Sequence, residues 1–145
     1  MPDLTLPVSA EWLARGICRA VEDMGYAAVT EFPLGNGRRV DVIAVDGGGG
    51  TLIVEIKSCV ADFRADRKWA EYLPYCDLFY FAVPGGFPRD LLPPDVGLMV
   101  ADGYGAAILR AAPHRPMHAN RRRAQTLRLA LTASQRLRRA LDPRI

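Results

Sequence analysis

Three charged side chains stand inside two apolar segments that otherwise read as buried β-strands: Asp41 in RRVDVIAV (38–45), and Glu55 and Lys57 in TLIVEIK (51–57). A buried, unpaired charge costs several kcal/mol, so charges on neighbouring strands need a joint explanation. Because side chains alternate along a strand, Glu55 and Lys57 share one face, while Val54 and Ile56 point into the core. Gly47–Gly50 turn the chain between the two segments and make them a hairpin. That hairpin sets Asp41 opposite residue 55 or 56. The loop length leaves the register open, and either choice keeps Asp41 and Glu55 about one side chain apart.

Two carboxylates that close repel unless a cation neutralises them. A hard divalent ion, Mg²⁺ or Mn²⁺, takes oxygen ligands and keeps several waters, so a pair of acids suits it. The backbone carbonyl of Ile56 is a further candidate ligand. A metal-bound water of lowered pKa is a nucleophile, and Lys57 stands where it can orient that water or stabilise charge growing on a phosphoryl group. These are the parts needed for phosphodiester hydrolysis. The competing reading is a pair exposed on a sheet edge, with Lys57 bridging the two acids.

The rest of the chain supplies an α/β frame. Residues 9–24 place Trp12, Leu13, Ile17, Ala20, Val21 and Met24 on one helical stripe, opened by Ser9 and closed by Gly25. Strands are expected over 27–34, 38–46 and 51–58, joined by short turns as an antiparallel meander. Residues 61–75 read as a charged helix limited by Pro74, with Phe63, Trp69 and Tyr72 near one face. LFYFAV (78–83) is continuously apolar, as in a strand covered on both faces. Segments 96–102 and 106–112 form a terminal hairpin, and a helix follows over about 118–141 with Leu127, Leu131, Leu137 and Leu141 as its apolar side. The order predicts one mixed sheet flanked by helices.

Charge is unevenly divided. From residue 113 onward nine arginines face one acid, Asp142, a net +8, whereas residues 1–112 carry 10 basic and 15 acidic side chains, a net −5. An acidic body with a basic end suits a cation site beside a surface for polyanions; a solvated helix with arginines over apolar flanks is the alternative. Arg121, Arg122 and Arg123, clustered at the helix start, are the best phosphate-gripping candidates. There is no apolar run of about 18 residues and no secretory pattern at the start. Three cysteines, none in a Cys-x-x-Cys pair, point to a reducing compartment. A cytoplasmic protein without membrane partners is the expectation.

Asp41 followed by Glu55-Ile56-Lys57 on the next strand resembles the signature of the PD-(D/E)XK nuclease superfamily. The stretch IVEIKSCVADFRADRKWAEYLPYCDLFYFAV, with GLMVADGYGAAILR after it, more closely resembles the MmcB-like family of bacterial DNA repair proteins. The resemblance implies a restriction-endonuclease-like core over 1–112, a basic helical extension over 113–145 packed on the same domain, and a place in a damage-response (SOS) gene set associated with mutagenic lesion bypass. It implies metal-binding roles for Asp41 and Glu55, the motif-lysine role for Lys57, and DNA and other repair or lesion-bypass proteins as partners. Val40 stands where the motif's proline would be. Several superfamily members add a glutamate from the first helix, and Glu11 is the candidate here.

Other features are weaker. Arg64 and Lys68 belong to a charged segment that either walls the site and touches phosphate or is solvated. Tyr104, between two glycines, either stacks on a base or packs on its own hairpin. His114 and His118 have Pro116 between them and no glutamate after His114, which argues against a protease-type zinc helix. Gly47–Gly50 joins strand to strand and lacks the lysine of a phosphate loop. The leading expectation is a Mg²⁺-dependent DNA endonuclease; the alternative is a catalytically silent DNA-binding or adaptor module of the same fold.

Overall fold

The computed structural model describes residues 8–144. Helix α1 (Ala10–Asp23) leads into strands β1 (Ala27–Pro33), β2 (Arg39–Val45) and β3 (Thr51–Ile56). A short helix α2 (Val60–Ala65) and a 3₁₀ segment (Trp69–Tyr75) precede β4 (Leu78–Val83). After a second 3₁₀ turn (Arg89–Leu91) come β5 (Gly97–Ala101), β6 (Ala106–Arg110) and helix α3 (Ala119–Leu141). The strands form one six-stranded sheet in chain order. β1, β2 and β3 are antiparallel neighbours, β3, β4 and β5 are parallel, and β5–β6 is an antiparallel hairpin. The expected mixed sheet flanked by helices is what the chain builds.

The sheet separates two apolar layers. On one face α1 contributes Leu13, Ile17 and Val21, which pack on Val42, Leu52, Val54, Tyr80 and Met99. On the other, Phe32, Ile43, Ile53, Phe79, Phe81 and Val83 meet Tyr72 and the half-buried Trp69 of the 3₁₀ segment. β4 therefore feeds both layers, as its unbroken apolar run requires. Ser9 accepts the Trp12 amide at 3.1 Å and opens α1.

Two expectations need correction. Residues 61–75 do not form one helix. α2 stops at Ala65, Asp66 turns away in an extended conformation, and the chain resumes as a 3₁₀ segment around Pro74. Proline cannot donate the i→i−4 bond of a longer α-helix, and the aromatic anchor Trp69, stacked on Phe79 at 5.8 Å, fixes the second piece independently. In α3, the four leucines expected on its buried side are instead 63, 54, 61 and 73% exposed (Leu127, Leu131, Leu137 and Leu141).

Polar contacts decide how α3 sits. Asp77, 4% exposed, accepts from the Thr51 amide at 2.9 Å, the Met117 amide at 2.8 Å and both terminal nitrogens of Arg122 at 2.6 and 2.7 Å. Arg122 also donates to the Gly49 carbonyl at 2.7 Å. Gln125 donates to the Tyr75 carbonyl at 2.6 Å, and Arg136 donates to the carbonyls of Thr30 and Glu31. Positions 122, 125, 129 and 136 share one helical face, so docking that face leaves the leucines outside.

Candidate functional site

The site lies where β2 and β3 stop pairing. Their ladder runs through Ile43↔Ile53 and Val42↔Val54, and one more step sets Asp41 across from Glu55, deciding the register that the loop left open. At that step side chains replace ladder bonds. The Asp41 amide donates to Glu55 Oε1 at 2.9 Å, and the Ile56 amide donates to Asp41 Oδ2 at 2.7 Å. Each carboxylate thus satisfies the backbone of the opposite strand, which is why two acids can occupy this depth.

The neighbouring strand is distorted at the same level. Ala28 and Val42 pack in the α1 layer, but Phe32 and Val40 lie in the other, so the two-residue alternation breaks on both β1 and β2. Glu31 sits at the break with φ +47°, a left-handed conformation that costs a non-glycine residue about 1 kcal/mol or more. The break opens a cavity of about 380 Å³ under α1, lined by Glu11, Arg15, Glu31, Asp41 and Ile56 among others.

Electrostatics bind the acids into one unit. Burial pushes Glu55 up to about 8, and the charge of Asp41 adds to the rise; the Asp41 amide and Lys57 pull the other way. Burial also raises Asp41, against the Ile56 amide, Lys57 and the hydrogen bond shared with Glu55. Lys57 is 8% exposed, and its Nζ lies 2.7 Å from Asp66 Oδ2. Burial would raise Asp66, but hydrogen bonds from Lys57 and from the Lys68 and Trp69 amides hold it below the usual carboxylate range. Tyr72 is pushed to about 12, by burial first and then by Glu55, Asp66 and Asp41 around it.

The sequence candidates separate into groups. Asp41 and Glu55 meet directly, with Lys57 beside them but engaged by Asp66. Ile56 borders the cavity and gives its amide to Asp41. Glu11 opens onto the same cavity as Asp41. Among the described residues no cluster of three or more acids, histidines or cysteines is arranged to hold a metal. Arg64 and Lys68 are exposed. Of the arginine cluster, Arg123 is exposed, Arg121 lies 4.6 Å over the Tyr75 ring, and Arg122 is committed inward to Asp77. Sequence reading missed Glu31, Arg15 and Asp66. Glu31 has no sequence signal, and Asp66 is one of three acids in the charged segment 61–75, with nothing in the spacing to single it out. His118 turns out to cap α3, its Nδ1 accepting from Asn120.

The fold is a mixed α/β sheet whose adjoining strands bring Asp41 and Glu55 together, with Lys57 beside them. The chain belongs to the MmcB-like family of DNA repair proteins, whose model matches residues 1–144. A solved structure, described as SPO1766 protein of unknown function from Silicibacter pomeroyi, is similar to it at 39% identity and TM-score 0.90, over 97% of this chain and 95% of that one. No curated protein matches the chain. No helix among the described residues is long and apolar enough to cross a membrane.

Proposed function

We propose that this protein hydrolyses phosphodiester bonds in a DNA repair intermediate, with Asp41 and Glu55 as the ligands of a Mg²⁺ or Mn²⁺ ion. The observation that carries the reading is the reciprocal seating of the two acids: each gives one oxygen to the opposite strand's amide, and that fixes the two carboxylates side by side. The donor set fits a hard divalent ion, because a cation offsets the burial and mutual repulsion that oppose ionisation of the two acids, and the remaining positions suit backbone oxygen and water. The ion would supply charge neutralisation at the phosphate and a water of lowered pKa. Asp41 and Glu55 hold that position rigidly, since their strands fix both side chains. Lys57 supplies positive charge beside the acids, held in place by Asp66. Of the candidate phosphate contacts, Arg64, Lys68 and Arg123 stay exposed, and Arg121 joins them over the Tyr75 ring.

A second reading, a DNA-binding or adaptor module that does not cut, is favoured by one observation. Lys57 is taken up by Asp66 at 2.7 Å, so its ammonium is not free for a substrate phosphate. One experiment separates the two. Nicked, branched and single-stranded DNA are incubated with the protein and Mg²⁺ or Mn²⁺, alongside Asp41→Asn and Lys57→Ala. Metal-dependent cutting lost in both variants supports hydrolysis. Cutting that persists in Asp41→Asn rejects the assigned ligands, and binding without cutting supports the second reading.

A further inference from the structure

We propose that Tyr104, with Trp12 and Arg15, forms a stacking platform for an unpaired DNA base at the mouth of the carboxylate cavity, so that the DNA recognised carries a single-stranded element. The inference rests on DNA as the partner but not on cleavage.

Tyr104 stands at the tip of the β5–β6 turn with 70% of its surface exposed. Its ring meets Trp12 of α1 edge-on, with centroids 6.2 Å apart and planes at 84°, an arrangement that leaves ring surface open to solvent. The Arg15 guanidinium lies 5.7 Å from the Tyr104 centroid, and Arg15 also lines the cavity that holds Asp41. One cation therefore joins the aromatic pair to the site of the proposed chemistry.

The platform is rigid. Asp102 Oδ1 accepts from the Tyr104 amide at 2.7 Å and the Gly105 amide at 3.0 Å, and the Asp102 amide donates to the Gly105 carbonyl at 3.0 Å. Two glycines let α1 and the turn interlock. A Cβ on Gly16 would lie 1.7 Å from the Asp102 carbonyl oxygen, and one on Gly103 would lie 2.0 Å from Trp12 Nε1. An exposed aromatic held this firmly loses little freedom when a flat ligand stacks on it.

Chemistry selects the occupant. Every base has a π-face, and stacking on an aromatic side chain is tolerant of sequence. Bases inside a duplex already stack on one another, so only an unpaired base can use the platform. Arg15 supplies a positive charge that suits a phosphate or the face of a base stacked beside it.

The test is DNA binding without metal, in chelator, so that cutting plays no part. Labelled oligothymidine and a duplex of equal length are titrated by fluorescence anisotropy at several salt concentrations. Tyr104→Ala is expected to weaken single-strand binding about tenfold or more, with an unchanged slope of log affinity on log salt, because stacking releases no counterions. Tyr104→Phe is expected to retain binding, and duplex affinity to move far less. Arg15→Gln is expected to flatten the single-strand slope by up to about 0.7. Thermal unfolding of Tyr104→Ala at the wild-type temperature excludes a folding defect. Equal single-strand affinity in wild type and Tyr104→Ala overturns the platform while DNA binding stands. An equal loss on duplex overturns the single-strand preference. Wild-type protein that binds neither DNA overturns the platform together with the DNA reading, and cleavage data bear on none of these outcomes.

Discussion

Replacing Asp77 by asparagine tests whether polar contacts dock α3. The carboxylate is held at about 2, well below its ordinary 3.8: the Arg122 hydrogen bond is the main cause, set against burial and helped by the Met117 and Thr51 amides. A folded pKa below the unfolded one means stability that is fully present above about pH 3.8 and is lost as the pH falls through about 2. At about 1.4 kcal/mol per pKa unit, the contribution at neutral pH is about 2 kcal/mol. Asparagine removes the charge and also leaves one oxygen where two backbone amides need acceptors, so its amide group faces an N–H donor. That mismatch adds about 1 kcal/mol, for a total near 3 kcal/mol. Urea unfolding of wild type and Asp77→Asn at pH 7, 4 and 2.5 reads the effect. The expected difference is near 3 kcal/mol at pH 7 and at pH 4 and falls to about 2 kcal/mol at pH 2.5, where Asp77 begins to protonate in the wild type. A difference below about 0.5 kcal/mol at pH 7, or one that stays constant down to pH 2.5, refutes the reasoning.

Other perturbations follow from the same geometry. Gly16→Ala forces a methyl group against the Asp102 carbonyl, and thermal unfolding should show a loss of about 3 kcal/mol, since backbone on both sides has to move. Leu127→Ser with Leu137→Ser should leave the protein within about 0.5 kcal/mol of wild type in urea, because both side chains are mostly exposed; a large loss would mean the helix face is covered. Asp66→Asn strands a nearly buried ammonium and should cost about 3 kcal/mol, whereas adding Lys57→Met to it should restore much of that. A double variant as unstable as the single one would contradict the pairing.

The fold was legible where hydrophobic period and turn chemistry agreed. The glycine turns and alternating segments gave the β1–β2–β3 meander, and the unbroken apolar run of β4 marked a strand buried on both sides. The reading failed where a polar contact outweighed a hydrophobic pattern. Leucines at helical spacing in α3 predicted a buried face, but Arg122 bound to Asp77, 45 residues away in sequence, and that bond turns a different face inward. Spacing within one segment carries no information about a partner so distant. Asp41 and Glu55 were found together because charge inside an apolar strand is a local signal. Glu31 was not, because its position depends on a backbone angle that its side chain does not announce.

That angle connects the two halves of the molecule. β1 is an edge strand, and unpaired carbonyls on an edge invite association with other chains. Arg136 of α3 donates to the carbonyls of Thr30 and Glu31, the two residues at the break in alternation. The same break sends Phe32 and Val40 to the layer opposite α1 and leaves room beneath α1 for the cavity that Asp41 borders. The basic helix thus meets the strained edge beside the cavity: Arg136 on its docked face donates to the carbonyls of Thr30 and Glu31, and both residues line the cavity. Arg123 and Arg139 lie on exposed positions of the same helix, away from the face that docks.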